Sequence, residues 1–221
     1  MCIKALLGVR HTTSNDLCLL ELGLPELKAF VLQRQKCFFK QATTLRAHME
    51  DDPLNYALQL CLTSRTPTSR HVNGLLGSMT NEIEDSTSHM KIKIRNNIAN
   101  SSRNAWYATA NPQLTMHPIY AARSPAVHEI HRIAWTRLRL SAHTLAIEEG
   151  RWNRRGRGRL PVEERLCPCG AVQDEVHVVQ HCPATEHLRL AYGFQTVAEL
   201  YDKSVSEMCE VSFKILNTYR G

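Results

Sequence analysis

Several absences narrow the field before any motif is considered. No apolar run in the 221 residues approaches the roughly 20 residues that a membrane-spanning helix needs. The composition does not lean either: 43% hydrophobic and 22% charged residues exclude a wholly disordered, collagen-like or fibrous chain. No internal repeat is present. The short apolar stretch Ala5-Leu6-Leu7-Gly8-Val9 has no cleavage-type site after it and is too small for the apolar region of a secretory signal. The expectation is a soluble, intracellular protein, cytoplasmic or nuclear. Its length suffices for one or two domains with a hydrophobic core that needs no disulfide staples.

Two local absences are more telling. Between residues 130 and 170 there is no lysine, although nine arginines face only four glutamates, and no acid occurs from 151 to 160. Of the net charge of +6, this arginine-only segment of 41 residues carries +5, as much as the first 124 residues do. Guanidinium groups make forked hydrogen bonds to phosphate oxygens, which suits such a segment to nucleic acid. A solvated, solubilising stretch is the alternative.

Helix signals come first along the chain. Ser14 reads as the N-cap of a helix over residues 15–22 stopped by Gly23, and Pro25 with Glu26 opens a longer helix to about His48. That second helix carries Leu27, Phe30, Val31, Phe38 and Leu45 as apolar positions, and Asp51-Asp52-Pro53 closes it. A third helix starts near Leu54 and gives way to a polar linker over residues 63–73. Residues 78–104 read as polar helix, Val197–Tyr201 and Val205–Tyr219 as terminal helices.

A helix from about Ala126 to Glu149 is the most informative expectation. At 100° per residue it places His128, Arg132, Trp135, Arg139 and His143 on one face, opposite Val127, Ile130, Ala134, Leu138 and Leu145. Cations around an aromatic ring match a nucleic-acid surface, since the cations neutralise phosphate and the ring stacks on a base. An ordinary amphipathic helix with Trp135 at the rim of the core is the competing reading. Arg137, inside the apolar arc, is expected to be paired and partly buried. Gly150 ends the helix, and Arg151, Trp152, Arg154, Arg155, Arg157 and Arg159 follow in a loop that can track a phosphate backbone or serve as a plain linker.

The eight cysteines divide unevenly. Cys2, Cys18, Cys37, Cys61 and Cys209 are scattered as reduced, buried thiols usually are. Cys167, Cys169 and Cys182 bracket His177 in the pattern C-x-C-x7-H-x4-C. Three thiolates and an imidazole are what a closed, tetrahedral, structural zinc site takes, with no position left for a catalytic water. Three free cysteines that happen to lie close are the alternative, and His181 and His187 are weaker substitute ligands. The residues 175–180 can form a short helical turn that presents His177.

The run Arg137-Leu138-Arg139-Leu140-Ser141-Ala142-His143-Thr144-Leu145, the basic loop, Cys167-x-Cys169, Asp174-Glu175, His177 and Cys182-Pro183 together resemble the C-terminal cysteine-histidine region of non-LTR (LINE-type) retrotransposon reverse transcriptases. Leu7-Gly8-Val9, Thr12-Thr13 and Leu20-Glu21-Leu22-Gly23 resemble the helical segment that follows the polymerase palm in those elements. The resemblance implies a mostly α fold, a helical thumb-like bundle followed by a small CCHC zinc knuckle and C-terminal helices. Its parts are a thumb-like segment over 1–62, a polar linker or irregular helical region over 63–125, a basic helix and Arg-rich loop over 126–165, the knuckle over 166–190 and the terminal helices over 191–221. It further implies RNA or DNA as partner, together with the remainder of such a reverse transcriptase.

Polymerase chemistry needs an aromatic-x-Asp-Asp hairpin with further carboxylates to hold two metal ions. Asp51-Asp52 is the sole Asp-Asp pair; it follows a helix and precedes a proline, so it reads as a helix-terminating turn and the chain as non-catalytic. A polymerase component acting with a separate palm and a zinc-stabilised protein-interaction module are the competing functions.

Overall fold

The computed structural model describes residues 2–26, 86–100, 102–121, 126–152 and 158–219, with isolated positions between 30 and 70. The described residues are mostly helical; no extended strand occurs among them, and one isolated antiparallel bridge joins Leu166 to Val172. None of their helices is long and apolar enough to cross a membrane. Two compact units emerge, one formed by Met1–Leu24 with Lys93–Gly221, the other by Pro25–Ile92. In the second unit the described positions between Phe30 and Thr44 are helical, as is Tyr56, and the Arg34 guanidinium lies 5.3 Å from the centre of the Phe30 ring. Asp51-Asp52 and the linker expected over 63–73 fall outside the described residues, except Arg70.

Helices of the first unit are α1 (Cys2–Leu7) and α2 (Asn15–Glu21), then α3 (Ser86–Ala99), which starts in the other unit, and α4 (Ser102–Ala110). They continue with α5 (Glu129–Arg139), α6 (Ala146–Glu149), α7 (Glu186–Tyr192), α8 (Val197–Tyr201) and α9 (Val205–Thr218). Ser14 does occupy the N-cap position of α2, and Gly23 follows it in the left-handed conformation, φ +65°. The stretch expected to be linker-like supplies core residues: Trp106 and Tyr107 of α4 are buried, and the Trp106 indole donates to the Leu138 carbonyl at 2.7 Å.

The pair α5 and α9 organises the interior. On α9 the buried Met208, Cys209, Val211, Ser212, Ile215 and Leu216 recur at the three-to-four spacing of a helix face, and each large apolar side chain contributes about 1.5–3 kcal/mol by leaving water. A capping box starts this helix: the Ser204 hydroxyl accepts from the Glu207 backbone N–H, and Glu207 accepts from the Ser204 N–H in return. Against it lie Ala134, Trp135 and Leu138 of α5, in one core with Leu145, Ile147, Val178, Val179, Leu188, Phe194 and Leu200.

The long helix expected over 126–149 is two helices. α5 stops at Arg139, Ser141 takes φ +48°, and the Ala142 N–H returns to the Arg137 carbonyl at 2.8 Å, the six-to-one bond of a Schellman turn. Glycine is the usual residue at that left-handed position. Here a serine holds it, and its hydroxyl donates to Glu175 Oε1 at 2.6 Å, a tertiary bond that offsets the local strain. With the helix broken, His143 no longer shares a face with Arg139.

The cationic face also turns inward. Trp135 is 1% exposed and Arg139 5%. Arg139 grips the Glu21 carboxylate with Nε and Nη2, the latter at 2.8 Å, while Nη1 donates to the Ala110 carbonyl at 2.6 Å. Tyr107 donates to the same carboxylate at 2.7 Å. Burial lowers the Arg139 pKa, but the charge and hydrogen bonds of Glu21, with Tyr201 and Tyr107 adding to them, together outweigh it and the pKa is raised. Trp135 donates its indole N–H to His117 Nε2 at 2.7 Å. Ile130, expected inside, is exposed. Arg137 is half-buried and donates from Nε to the Gly8 carbonyl at 2.7 Å, in keeping with its expected paired state.

Removing one partner of the buried ion pair, as in Glu21→Ala, is expected to destabilise the protein by about 3–5 kcal/mol in denaturant unfolding, whereas Glu21→Leu with Arg139→Met recovers most of the loss. Burial, reinforced by the nearby Arg139 charge, holds His117 down to about 3. The unfolded chain then binds a proton that the folded chain refuses between its ordinary pKa and that value, so stability falls as pH drops through about 6.5. Against His117→Gln, the native chain is expected to lose roughly 2 kcal/mol more on going from pH 7 to pH 5.

Candidate metal centre

Cys167-Pro168-Cys169-Gly170 sits at the tip of a tight turn. The Gly170 N–H donates to the Cys167 carbonyl at 2.8 Å, the Cys167 N–H to the Ala171 carbonyl at 2.7 Å, and the Gln173 N–H to the Arg165 carbonyl at 2.8 Å. These backbone bonds shape the turn that carries both thiols. The partner segment is a single π-helical turn, His177–His181, whose entry is fixed by Asp174 Oδ1 accepting the His177 N–H at 2.7 Å. Buried Val178 and Val179 anchor that turn in the core and leave His177 facing the thiols. Cys182 closes the turn, its N–H on the His177 carbonyl at 2.8 Å.

The four expected ligands converge. Their ligand atoms all lie within 4.8 Å of one another. Cys167 Sγ is 3.6 Å from Cys182 Sγ, Cys169 Sγ is 4.0 Å from Cys182 Sγ and 3.2 Å from His177 Nε2. Zinc bonded tetrahedrally at about 2.3 Å to sulfur and about 2.0 Å to nitrogen requires edges of about 3.8 Å between sulfurs and about 3.5 Å between sulfur and nitrogen. The two sulfur–sulfur separations bracket the first value and the sulfur–nitrogen separation lies below the second, so the set is close enough to hold one metal ion. His181 and His187 are exposed and lie outside the cluster.

Burial pushes the Cys167 thiol up to about 11, while the backbone N–H of Ala171 lowers that of Cys169. Burial also lowers the His177 imidazole, favouring the neutral form that ligates. Crowded thiols ionise together only when a positive charge lies among them. Around the cluster, the buried Arg189 guanidinium donates to the Cys182 carbonyl at 2.9 Å and to Thr185 Oγ1 at 3.0 Å, fixing the last ligand's backbone.

The same segment holds the stems of the Arg-rich loop. Leu160 donates its N–H to the Gly150 carbonyl at 2.9 Å, closing the loop at its base. Arg165, two residues before Cys167, clamps that base: Nη2 donates to the Leu160 carbonyl at 2.7 Å and Nη1 to the Ile147 carbonyl at 3.0 Å. A Cβ at Gly150 would stand 2.7–2.8 Å from Arg165 side-chain atoms, so the clamp needs glycine there. Gln173 receives the Ala146 N–H at 2.7 Å, and Glu175 accepts from Ser141 and pairs with His143 Nε2 at 2.9 Å. Burial opposes the Glu175 charge, yet those two partners hold its pKa below the usual carboxylate value.

Of the residues expected at a nucleic-acid surface, His143 is 1% exposed and joins Trp135 and Arg139 in the interior. Arg132 is held by Glu129, the Leu6 carbonyl and the Tyr120 hydroxyl. Arg151 pairs with Glu148 at 2.7 Å, Trp152 is 37% exposed and Arg159 is exposed. Arg154, Arg155 and Arg157 lie outside the described residues. Sequence reasoning overlooked Arg165, Gln173 and Arg189, because each binds main-chain groups and leaves no pattern of partner residues.

Metal analysis of the purified chain is expected to find about one zinc per molecule, lost in Cys182→Ser together with a fall in helical circular dichroism on warming. No family model matches the chain, and neither a curated protein nor a solved structure is found similar to it.

Proposed function

We propose that this chain is a zinc-stabilised nucleic-acid-binding module without chemistry of its own, similar to the C-terminal part of a LINE-type reverse transcriptase. In this reading the metal turn is a zinc knuckle that presents the Arg-rich loop to template RNA or target DNA. The observation that carries the proposal is the coincidence of two features in one short segment: a Cys3His set close enough to hold one ion, and a guanidinium clamp on the base of a loop rich in arginine.

Cys167, Cys169, His177 and Cys182 would hold Zn2+, which supplies cross-linking of a segment too small to be held by its own core. Four protein ligands leave no vacant position, so the ion has a structural role. Arg165, Gln173 and Glu175 connect the knuckle to both stems of the loop and fix where it emerges. Phosphate contacts are assigned to Arg154, Arg155, Arg157 and Arg159, and base stacking to the exposed Trp152. Trp135, Arg139 and His143 drop out of the interface, since each is buried and engaged inside the fold.

A protein partner is the second reading. It is favoured by three exposed apolar side chains that follow the loop, Leu160, Val162 and Leu166.

Binding to labelled RNA and DNA oligonucleotides across a salt series separates these readings. Four phosphate contacts give affinity that falls with salt at a log–log slope of about −3 to −4. Replacing Arg154, Arg155, Arg157 and Arg159 by Ala is expected to weaken binding at least roughly tenfold and flatten that slope. Unchanged binding in the four-fold variant rejects the loop as the contact surface, and template-directed nucleotide incorporation by the purified chain rejects the non-catalytic assignment.

A further inference from the structure

The three thiols of the metal centre are unequal in access. Cys167 and Cys182 are buried, whereas Cys169 is exposed. Cys182 is the shared neighbour, 4.0 Å from Cys169 Sγ and 3.6 Å from Cys167 Sγ. A solvent-borne oxidant therefore meets Cys169 first, and Cys182, on the other arm of the site, lies within reach to answer it. Cys18 and Cys209 are buried free thiols and belong to other parts of the fold, α2 and α9.

We infer that the metal centre is a redox-modification site, in which a hydroperoxide oxidises Cys169, Cys182 resolves it as a Cys169–Cys182 disulfide, and the metal is released. This rests on the metal-binding part of the proposed function and not on its nucleic-acid part. The Cys169 thiolate sulfur attacks the near oxygen of hydrogen peroxide; the O–O bond breaks, hydroxide leaves and is protonated to water, and Cys169 becomes a sulfenic acid. Cys182 Sγ then attacks that sulfur, the S–S bond forms, and the S–O bond breaks as a second hydroxide departs and takes a proton. Two thiolates lose two electrons, one peroxide becomes two waters with two protons drawn from solvent, and the metal cation passes to solution.

Only Cys167 and His177 remain as ligands after that step. A closed structural zinc site needs four. The sulfurs need close by only about 2 Å to reach bonding distance, and the Cys169 turn is held by main-chain bonds at its base, not by packing of Cys169 itself. Cys167, 3.6 Å from Cys182 but buried and so out of reach of the oxidant that enters at Cys169, is the thiol left reduced.

The test uses the wild-type chain, so it does not depend on a variant that folds. Zinc content is measured first, then the metal-loaded protein is titrated with hydrogen peroxide in the presence of a chromogenic zinc chelator. At each point thiols are alkylated and the chain is cut at Asp174 or Glu175, which separates Cys167 and Cys169 from Cys182. Fragmentation across Pro168 then tells Cys167 from Cys169. Release of about one zinc per chain in step with a Cys169–Cys182 disulfide, with Cys167 alkylated and zinc uptake restored by dithiothreitol, is the expected result. Retention of zinc through the titration, release with a Cys167–Cys182 disulfide, or release with only sulfinic or sulfonic cysteine overturns the inference. Absence of zinc before any peroxide is added overturns the metal reading itself, and so is distinguishable from failure of the redox step.

Discussion

The Glu21–Arg139 ion pair is the constraint on which the first unit depends. An unpaired charge in that interior is prohibitive, so the end of α2 and the end of α5 are obliged to meet although 118 residues separate them. Tyr107 and the Ala110 carbonyl complete the shell from α4. Three distant stretches of chain are thereby tied at one point by directional bonds. Apolar packing between α5 and α9 supplies the bulk of the burial, and the ion pair specifies which helix ends share it.

A second polar node works the same way just beyond the end of α5. Glu175 receives Ser141 and His143, so the turn that ends α5 and the segment that carries the metal ligands are one hydrogen-bonded body. Arg165 and Gln173 extend that body to Ile147, Ala146 and Leu160. The metal centre is thus continuous with the core on one side and with the loop stems on the other.

Legibility of the sequence followed the range of the interactions. The clustering of Cys167, Cys169, His177 and Cys182 is readable because their spacing lies within one short window. The terminal helices were readable because caps and apolar periodicity are local. The face of α5 was misread for a physical reason: a helical wheel assigns arginine to water, and nothing within the helix announces a carboxylate waiting in α2. The break after Arg139 was equally hidden. A left-handed residue is expected to be glycine or asparagine, and Ser141 is held there by a bond to a residue 34 positions away. The loop is legible only as composition, since its central arginines fall outside the described residues.

The closed base of the loop separates two kinds of sequence freedom. Residues 140–150 and 160–182 are interlocked through Arg165, Gln173 and Glu175, so a change there is felt by the core. Between Gly150 and Leu160 the stems are already joined, and lengthening such a closed loop is cheap: each doubling adds only about 0.6 kcal/mol of closure entropy. The loop can therefore gain, lose or exchange residues while its anchorage stays fixed. A chain built this way can change the length and sequence of one loop without renegotiating how the rest of it folds.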